Sequence, residues 1–374
     1  MTFLKRVKIC HLTSVHSHTD TRIFIKECSS LVTNNYEIYL VAPDVPSHNC
    51  ILNNVTLIRG IEKKHKNRLE RITKSLYQTY KTAQGLDANL YHFHDPELIP
   101  VGLLLKAQGK KVIYDVHEDL PRQTLSKSYI PQSIRKIVAF SLEIIENFAV
   151  KYFDGIVAAT PHIRDRFLDR GCQAIDVNNY PILSELYIPN SNWQEKEKAV
   201  CYIGGITEIR GIFTMIEAMS EIQGEILLGG KFAAAQERDR AVIMKGWSNV
   251  NELGFLNRQQ VSQTLVRSMA GLVLFHPFLN HINAQPNKMF EYMSAGLPVI
   301  ASNFPLWQEI IEGNECGICV DPLKPKEIAQ AIQWIFDHPQ EAQKMGENGR
   351  KAVEQKYNWE NEAQKLLSLY ESIL

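Results

Sequence analysis

Short apolar runs alternate with amphipathic helical patterns along almost the whole of this chain, and that alternation admits few folds. Residues 7–12 read as strand, 21–32 as helix and 38–42 as strand; further strand patterns follow at 56–58, 90–94, 112–116 and 155–159. Helical patterns fill the intervals, within 67–84, from Pro96, over 131–152, and from Pro161, where proline suits a first helical position. The rhythm is that of a parallel sheet covered by helices. Residues 190–198 break it, and a second set begins at 200–203, with strands at 226–228, 250–253, 272–275, 299–301 and 318–320. Two helical patterns, 339–357 and 359–374, close the chain with no strand after them. Two doubly wound α/β domains are therefore expected, facing across a cleft at the carboxyl edges of their strands, where open α/β sheets take ligands.

Bulk properties narrow the class. A chain of 374 residues has length for two cores, and 41 basic against 41 acidic residues lack the excess that nucleic-acid binding requires. No apolar run approaches the roughly 18 residues of a membrane span, and the first residues carry no signal-peptide pattern, so a cytoplasmic protein is expected. Seven scattered cysteines make no disulfide framework, and Cys316-Gly-Ile-Cys319 lacks the partners of a zinc site and reads as a strand edge.

Chemistry concentrates at strand ends. In the stretch 286–300, Asn287 reads as an N-cap, Met289, Phe290 and Met293 recur at helical spacing, and Gly296 and Pro298 stop the helix before Val299-Ile300. First-turn amides around 287–289, with Lys288 beside them, can meet a phosphate, and Glu291 can reach a sugar hydroxyl one turn on. Ordinary cap chemistry explains the same residues. Residues 202–211 hold Gly204, Gly205 and Arg210 where a strand turns into a helix, which suits close backbone approach to a diphosphate or simply a tight turn. In the first half, His92-Phe-His94-Asp95-Pro-Glu97 and Asp115-Val-His117-Glu118-Asp119 both follow apolar runs, as does the loop 14–22 with His16, His18, Thr19 and Asp20. His92 and His94 have strand spacing for metal ligation, but no third ligand follows from spacing, and a polar acceptor site is the more economical reading. No Asp-x-Asp pair, Gly-x-Ser-x-Gly elbow or P-loop occurs. Basic residues cluster at 59–81, with Lys63, Lys64, Lys66, Arg68, Arg71 and Lys74, and again as Arg122, Lys127, Arg135 and Lys136 before the apolar residues 137–142. Both sets suit an anionic bilayer surface as well as a solvated helix face.

Together, residues 20–28, 91–98, 112–119, 202–211 and 286–298 resemble the signatures of family-4 retaining glycosyltransferases of the GT-B architecture, over essentially the whole chain. The resemblance implies an acceptor-binding Rossmann-like domain at 1–185, a linker at 186–198, a nucleotide-sugar-binding domain at 199–356 and a helix at 357–374 returning to the first domain. It implies transfer of a sugar from a nucleotide diphosphate sugar to a glycan or lipid-linked acceptor hydroxyl, with retention and without a metal or other cofactor, in surface polysaccharide or glycolipid synthesis. It puts Glu291 on the ribose, the amides of Asn287 to Met289 on the diphosphate, Arg210 and Lys288 against the phosphates and Leu256 beside the base. His117 falls near the transferred sugar, and His16, His94, Asp95 and Glu118 fall on the acceptor side. Front-side attack, with the leaving phosphate helping to take the acceptor proton, is the mechanism the family implies. Two positions depart from the pattern: Asn283 stands where the family has a Glu eight residues before Glu291, and Gly205 where it has a basic residue. Those departures keep open a non-catalytic sugar-nucleotide sensor or partner subunit, and a sugar-nucleotide epimerase is the rival within enzymes.

Overall fold

The structure is a computed structural model that describes residues 6–34, 36–46, 49–60, 68–126, 130–186 and 192–374. The expected basic positions Lys63, Lys64, Lys66 and Lys127, the side chains of Arg68 and Arg71, and residues 187–191 of the expected linker lie outside them.

Strands β1 (Lys8–Leu12), β2 (Glu37–Ala42), β3 (Cys50–Leu52), β4 (Val55–Arg59), β5 (Leu90–Phe93), β6 (Lys111–Val116), β7 (Gly155–Ala158) and β8 (Ala174–Asp176) form one sheet in the order β3-β4-β2-β1-β5-β6-β7-β8. Every pairing is parallel except that of β3 with β4. A second, wholly parallel sheet has β9 (Ala199–Ile203), β10 (Glu225–Gly229), β11 (Val250–Gly254), β12 (Ala270–Val273), β13 (Val299–Ser302) and β14 (Gly317–Val320), ordered β11-β10-β9-β12-β13-β14. Strand order reverses between β1 and β5 in the first sheet and between β9 and β12 in the second. Those switch points are where a crevice opens beyond the strand ends.

The chain divides into two compact units, Met1–Asn179 with Asn361–Leu374, and Tyr180–Glu360. The crossings thus fall at 179/180 and 360/361, against the expected ends of the two domains at 185 and 356. Side-chain alternation explains why helices cover both faces of the second sheet: in β9, Val200 and Tyr202 enter one apolar cluster while Ala199 and Cys201 enter the other. Strand β12 ends at Val273, two residues earlier than the expected 272–275, so Leu274 and Phe275 lie past the sheet edge. The three-residue β3 and β8 have too little pattern to be read from sequence; β3 is an edge strand with Ile51 exposed.

Two local departures shape the first unit. The expected helix at 21–32 opens with wide turns over Thr21–Cys28, in which Ile25 N–H donates to Asp20 O (3.2 Å), before an ordinary turn at Ser29–Thr33. Asp20 caps it by accepting from the amides of Arg22 and Ile23, and the wide turns bury Arg22, Lys26 and Glu27 together. The last helix, Trp359–Ile373, packs in this unit: Lys365 Nζ reaches Asp176 (3.0 Å), Glu362 accepts from the Asn178 amide (2.7 Å), and Ile373 presses on Gly155 of β7.

Candidate functional site

In the second unit, the switch point is built from the end of β9 and the start of the helix Asn287–Ser294. Tyr202 Oη–H and Arg210 Nη1–H both donate to the Gly205 carbonyl (2.7 and 3.3 Å). Neither glycine at the strand end can be replaced at no cost. A Cβ on Gly205 would stand 2.8 Å from Arg210 Nη1, and one on Gly204, whose φ is +139°, would stand 3.0 Å from Lys288 Nζ. The glycine pair is what lets two cations share this corner. Lys288 lies over the Tyr202 ring at 3.6 Å, and the Arg210 guanidinium sits 5.6 Å from the Phe275 ring centre.

Lys288 is only 8 % exposed, and its ammonium has no hydrogen-bond partner. Burial, reinforced by Arg210, holds its pKa well below the ordinary lysine value. The cation expected to meet a phosphate is thus tucked against an aromatic ring, with no hydrogen-bond partner for its ammonium among the described residues. The helix is not capped as the sequence suggests. Pro286 is the N-cap residue, Asn287 is the first helical residue, and no side chain caps the turn; proline geometry supplies the entry instead. The Met289 amide already donates to Pro286 O (3.0 Å) and its side chain is in the core, so of the three expected amides Met289 is committed within the protein. One turn on, Glu291 accepts from Arg258 Nη1 (2.8 Å), and Arg258 also pairs with Glu185. The neighbouring Tyr292 Oη accepts the Ile203 amide (3.0 Å), which ties this helix to the end of β9. Leu256, just past β11, packs on Gly229, while Asn283 is exposed after the short helix Leu279–Ile282.

In the first unit, parallel register sets His11 of β1 beside His92 of β5, and His94 follows one residue past β5. His11 Nδ1 and His94 Nε2 are 2.9 Å apart, His92 Nδ1 is 2.6 Å from Tyr370 Oη, and His94 Nδ1 is 3.0 Å from Asp115 Oδ2. His117 Nε2 also lies 3.0 Å from that oxygen and Tyr370 Oη lies 3.4 Å from His11 Nε2, so a continuous run of polar contacts through His11, His94 and Asp115 joins the last helix to the half-buried His117. Arg22 donates to both Asp115 oxygens (2.9 and 2.8 Å) and to Val177 O (2.7 Å). Burial alone would raise Asp115, but Arg22 and then His117 hold it well below the carboxylate range. Burial drives Glu27 the other way, well above its usual value, and lowers His11, His92 and His94.

His11, Glu27, His92 and His94 offer ligand atoms within 4.8 Å of one another, as do His94, Asp115 and His117. Two ligands invisible to sequence spacing, His11 and Glu27, therefore join the pair weighed there. Such groups can hold a divalent ion. His11, His94, Asp115 and His117 also have polar partners within the protein, whereas both Glu27 oxygens and His92 Nε2 make no hydrogen bond among the described residues, and the nearest cationic group to Glu27 is Arg22 Nε (3.2 Å).

At the rim, Asp95 is buried and accepts from Thr13 Oγ1 (2.8 Å) and the Ser14 amide (2.6 Å), while His16 bridges Asp20 (3.5 Å) and Asp95 (3.3 Å), its ring 5.0 Å from that of His117. Bonding to Asp20 raises the His16 pKa; Asp20, which burial alone would raise, is drawn down to about 2 by His16 and the Ile23 amide. His16 and His117 are brought together at the strand ends. Buried His94 and Asp95 lie beneath them, and Glu118 is exposed. Arg22, Glu27, Tyr370 and Arg258 escaped sequence reasoning as site residues, and Asp115 was read only as a member of the polar cluster 115–119. For Arg22 and Glu27 the one signal was charge at inward positions of a helix, which seldom occurs without partners; the uncharged Tyr370 and the exposed Arg258 carried none.

Residues 184–352 match the family described as Glycosyl transferases group 1. D-rhamnosyltransferase WbpZ of Pseudomonas aeruginosa is 24 % identical over 278 residues, 72 % of this chain and 70 % of that protein. Among solved structures, sucrose-phosphate synthase from Thermosynechococcus elongatus has a TM-score of 0.79 at 20 % identity, covering 98 % of this chain and 99 % of its own. Anabaena Alr3699/HepE in complex with UDP-glucose has a TM-score of 0.73 at 15 % identity, with 98 % and 100 % covered. The fold is GT-B. Its two α/β units with parallel sheets are those of these glycosyltransferase structures.

Proposed function

We propose that the chain is a retaining group 1 glycosyltransferase that moves a sugar from a nucleotide diphosphate sugar to a hydroxyl of a glycan or lipid-linked acceptor. The observation that carries this reading is the buried, unpartnered Lys288 ammonium beside Arg210 at the second unit's switch point. A diphosphate supplies the missing counter-charge, and charge that grows on the leaving phosphate during transfer strengthens the contact. With two cations and the free amides at Asn287 and Lys288 in place, the reading requires no divalent ion to hold the donor.

The remaining roles follow in the second unit from position. Glu291 exchanges Arg258 for the ribose hydroxyls, Leu256 borders the base, and Asn283 offers a neutral hydrogen-bonding group to the donor sugar. In the first unit, His117 and His16 meet the acceptor, with exposed Glu118 beside them, and Asp115, Asp95 and His94 hold the imidazoles in place. The biological setting proposed is surface polysaccharide or glycolipid synthesis on the cytoplasmic side of the membrane; the name of the rhamnosyltransferase relative supports sugar transfer alone.

The experiment is a panel of nucleotide sugars scored for nucleotide release with and without candidate acceptors. Acceptor-dependent release supports transfer. Tight binding with no turnover across the panel supports a sensor, and a changed sugar nucleotide without acceptor supports an epimerase.

A further inference from the structure

We infer that the helix Gln132–Ala149 lays the first unit on an anionic lipid surface. Ile134, Ile137, Phe140, Ile144, Ile145 and Phe148 recur at three- and four-residue spacing, so they share one stripe, and all are exposed. Ile137, Phe140 and Phe148 keep 65, 64 and 59 % of their surface, and Tyr152 continues the stripe past the helix end. Side chains of this size, about half exposed, present on the order of 700 Å² of largely apolar surface, more than a soluble surface ordinarily leaves in one patch. The opposite face carries Ala139, Glu146 and Ala149 into the protein, so the helix is already packed on one side and apolar on the other.

Charge decides the occupant. The acidic residues of the helix are engaged: Glu143 with Arg122 and Arg170, Glu146 with Arg166 and the Tyr114 hydroxyl. Lys136 and Lys151, by contrast, are exposed at the flanks with no carboxylate partner among the described residues. A cationic rim around an Ile/Phe stripe matches anionic headgroups over acyl chains. A second copy fits less well, because a two-fold pairing of this helix sets Lys136 of one copy against Lys151 of the other. At 18 residues the helix is about 27 Å long and lies in the interfacial plane. No helix among the described residues is long and apolar enough to cross the bilayer.

The test is sedimentation of the whole chain with vesicles of phosphatidylglycerol and phosphatidylethanolamine, against phosphatidylcholine alone. The expected result is selective binding to the anionic vesicles that weakens with salt. The pair Phe140→Ser/Phe148→Ser lowers the partition coefficient at least tenfold, and Lys136→Glu/Lys151→Glu does so on anionic vesicles, with unchanged thermal unfolding confirming that both fold. No binding by the unaltered chain would overturn the inference. So would equal binding to both lipids, equal binding by the variants, or a concentration-dependent dimer that the Phe variants abolish while vesicles stay unbound.

Discussion

An ammonium group kept from water without a partner costs several kcal/mol, so Lys288 is the residue whose environment most needs a ligand. Lys288→Met is expected to leave the free protein as stable as before or more so, yet to weaken nucleotide diphosphate binding tenfold or more, about 1.4 kcal/mol; thermal unfolding and titration calorimetry read the two effects. The pH dependence has a definite sign. Lys288 has a folded pKa below its ordinary 10.5, so between those values the unfolded chain binds more protons and the free protein gains stability as pH rises. The penalty is full below the folded pKa and relieved towards 10.5; Lys288→Met removes that slope. Diphosphate affinity runs the opposite way, falling as the ammonium loses its proton. Arg210→Ala is expected to lower kcat more than donor affinity, since its contact strengthens as charge develops, and full activity in that variant would remove Arg210 from the mechanism. Gly205→Ala probes the same corner: its methyl displaces Arg210 Nη1, so turnover falls while stability changes by less than about 0.5 kcal/mol. Here the sequence was partly legible. The residues of the stretch 286–300 were identifiable, but the inward turn of Lys288 depends on the Tyr202 ring and on a glycine 84 positions away.

At the scale of elements, the wide turns at Thr21–Cys28, the strands β1 and β5 and the last helix make one buried polar centre. Its members come from residues 11, 22, 27, 92, 94, 115 and 370, and only strand register and chain closure bring them together. That is why spacing exposed the His92/His94 pair and concealed His11, Glu27 and Tyr370. Tyr370→Phe removes the hydroxyl from buried His92 and is expected to cost about 1–3 kcal/mol in denaturant unfolding. If that hydroxyl contributes nothing, stability stays unchanged and the centre does not anchor the last helix. At the rim, His16 has a raised pKa, so its stabilising contribution is complete below about 6.5 and disappears as pH rises through the folded value. His16→Gln should flatten the stability profile in that window. The Asp20 contribution is complete above the ordinary 3.8 and is lost as pH falls from there to about 2.

Across the whole molecule, strand–helix alternation made both α/β units legible, because buried parallel strands must be apolar on both faces and their helices must be amphipathic. The unit crossings and short edge strands were less so, since a three-residue strand such as β8 leaves too little pattern to detect. Two switch points follow from this architecture, one with Lys288 and Arg210 and one with His16 and His117, each at the carboxyl edge of its own sheet. In the proposed function, donor binding belongs to the second unit and acceptor chemistry to the first. Glu291→Ala should therefore weaken nucleotide-sugar binding, whereas His117→Ala should leave that binding intact and reduce transfer. The most direct measurement follows the anomeric proton of a turned-over donor by NMR while an acceptor is supplied. Nucleotide diphosphate appearing in step with a new glycoside of the donor's own anomeric configuration is the predicted result. An inverted glycoside, or a sugar altered while still attached to its nucleotide, would contradict it.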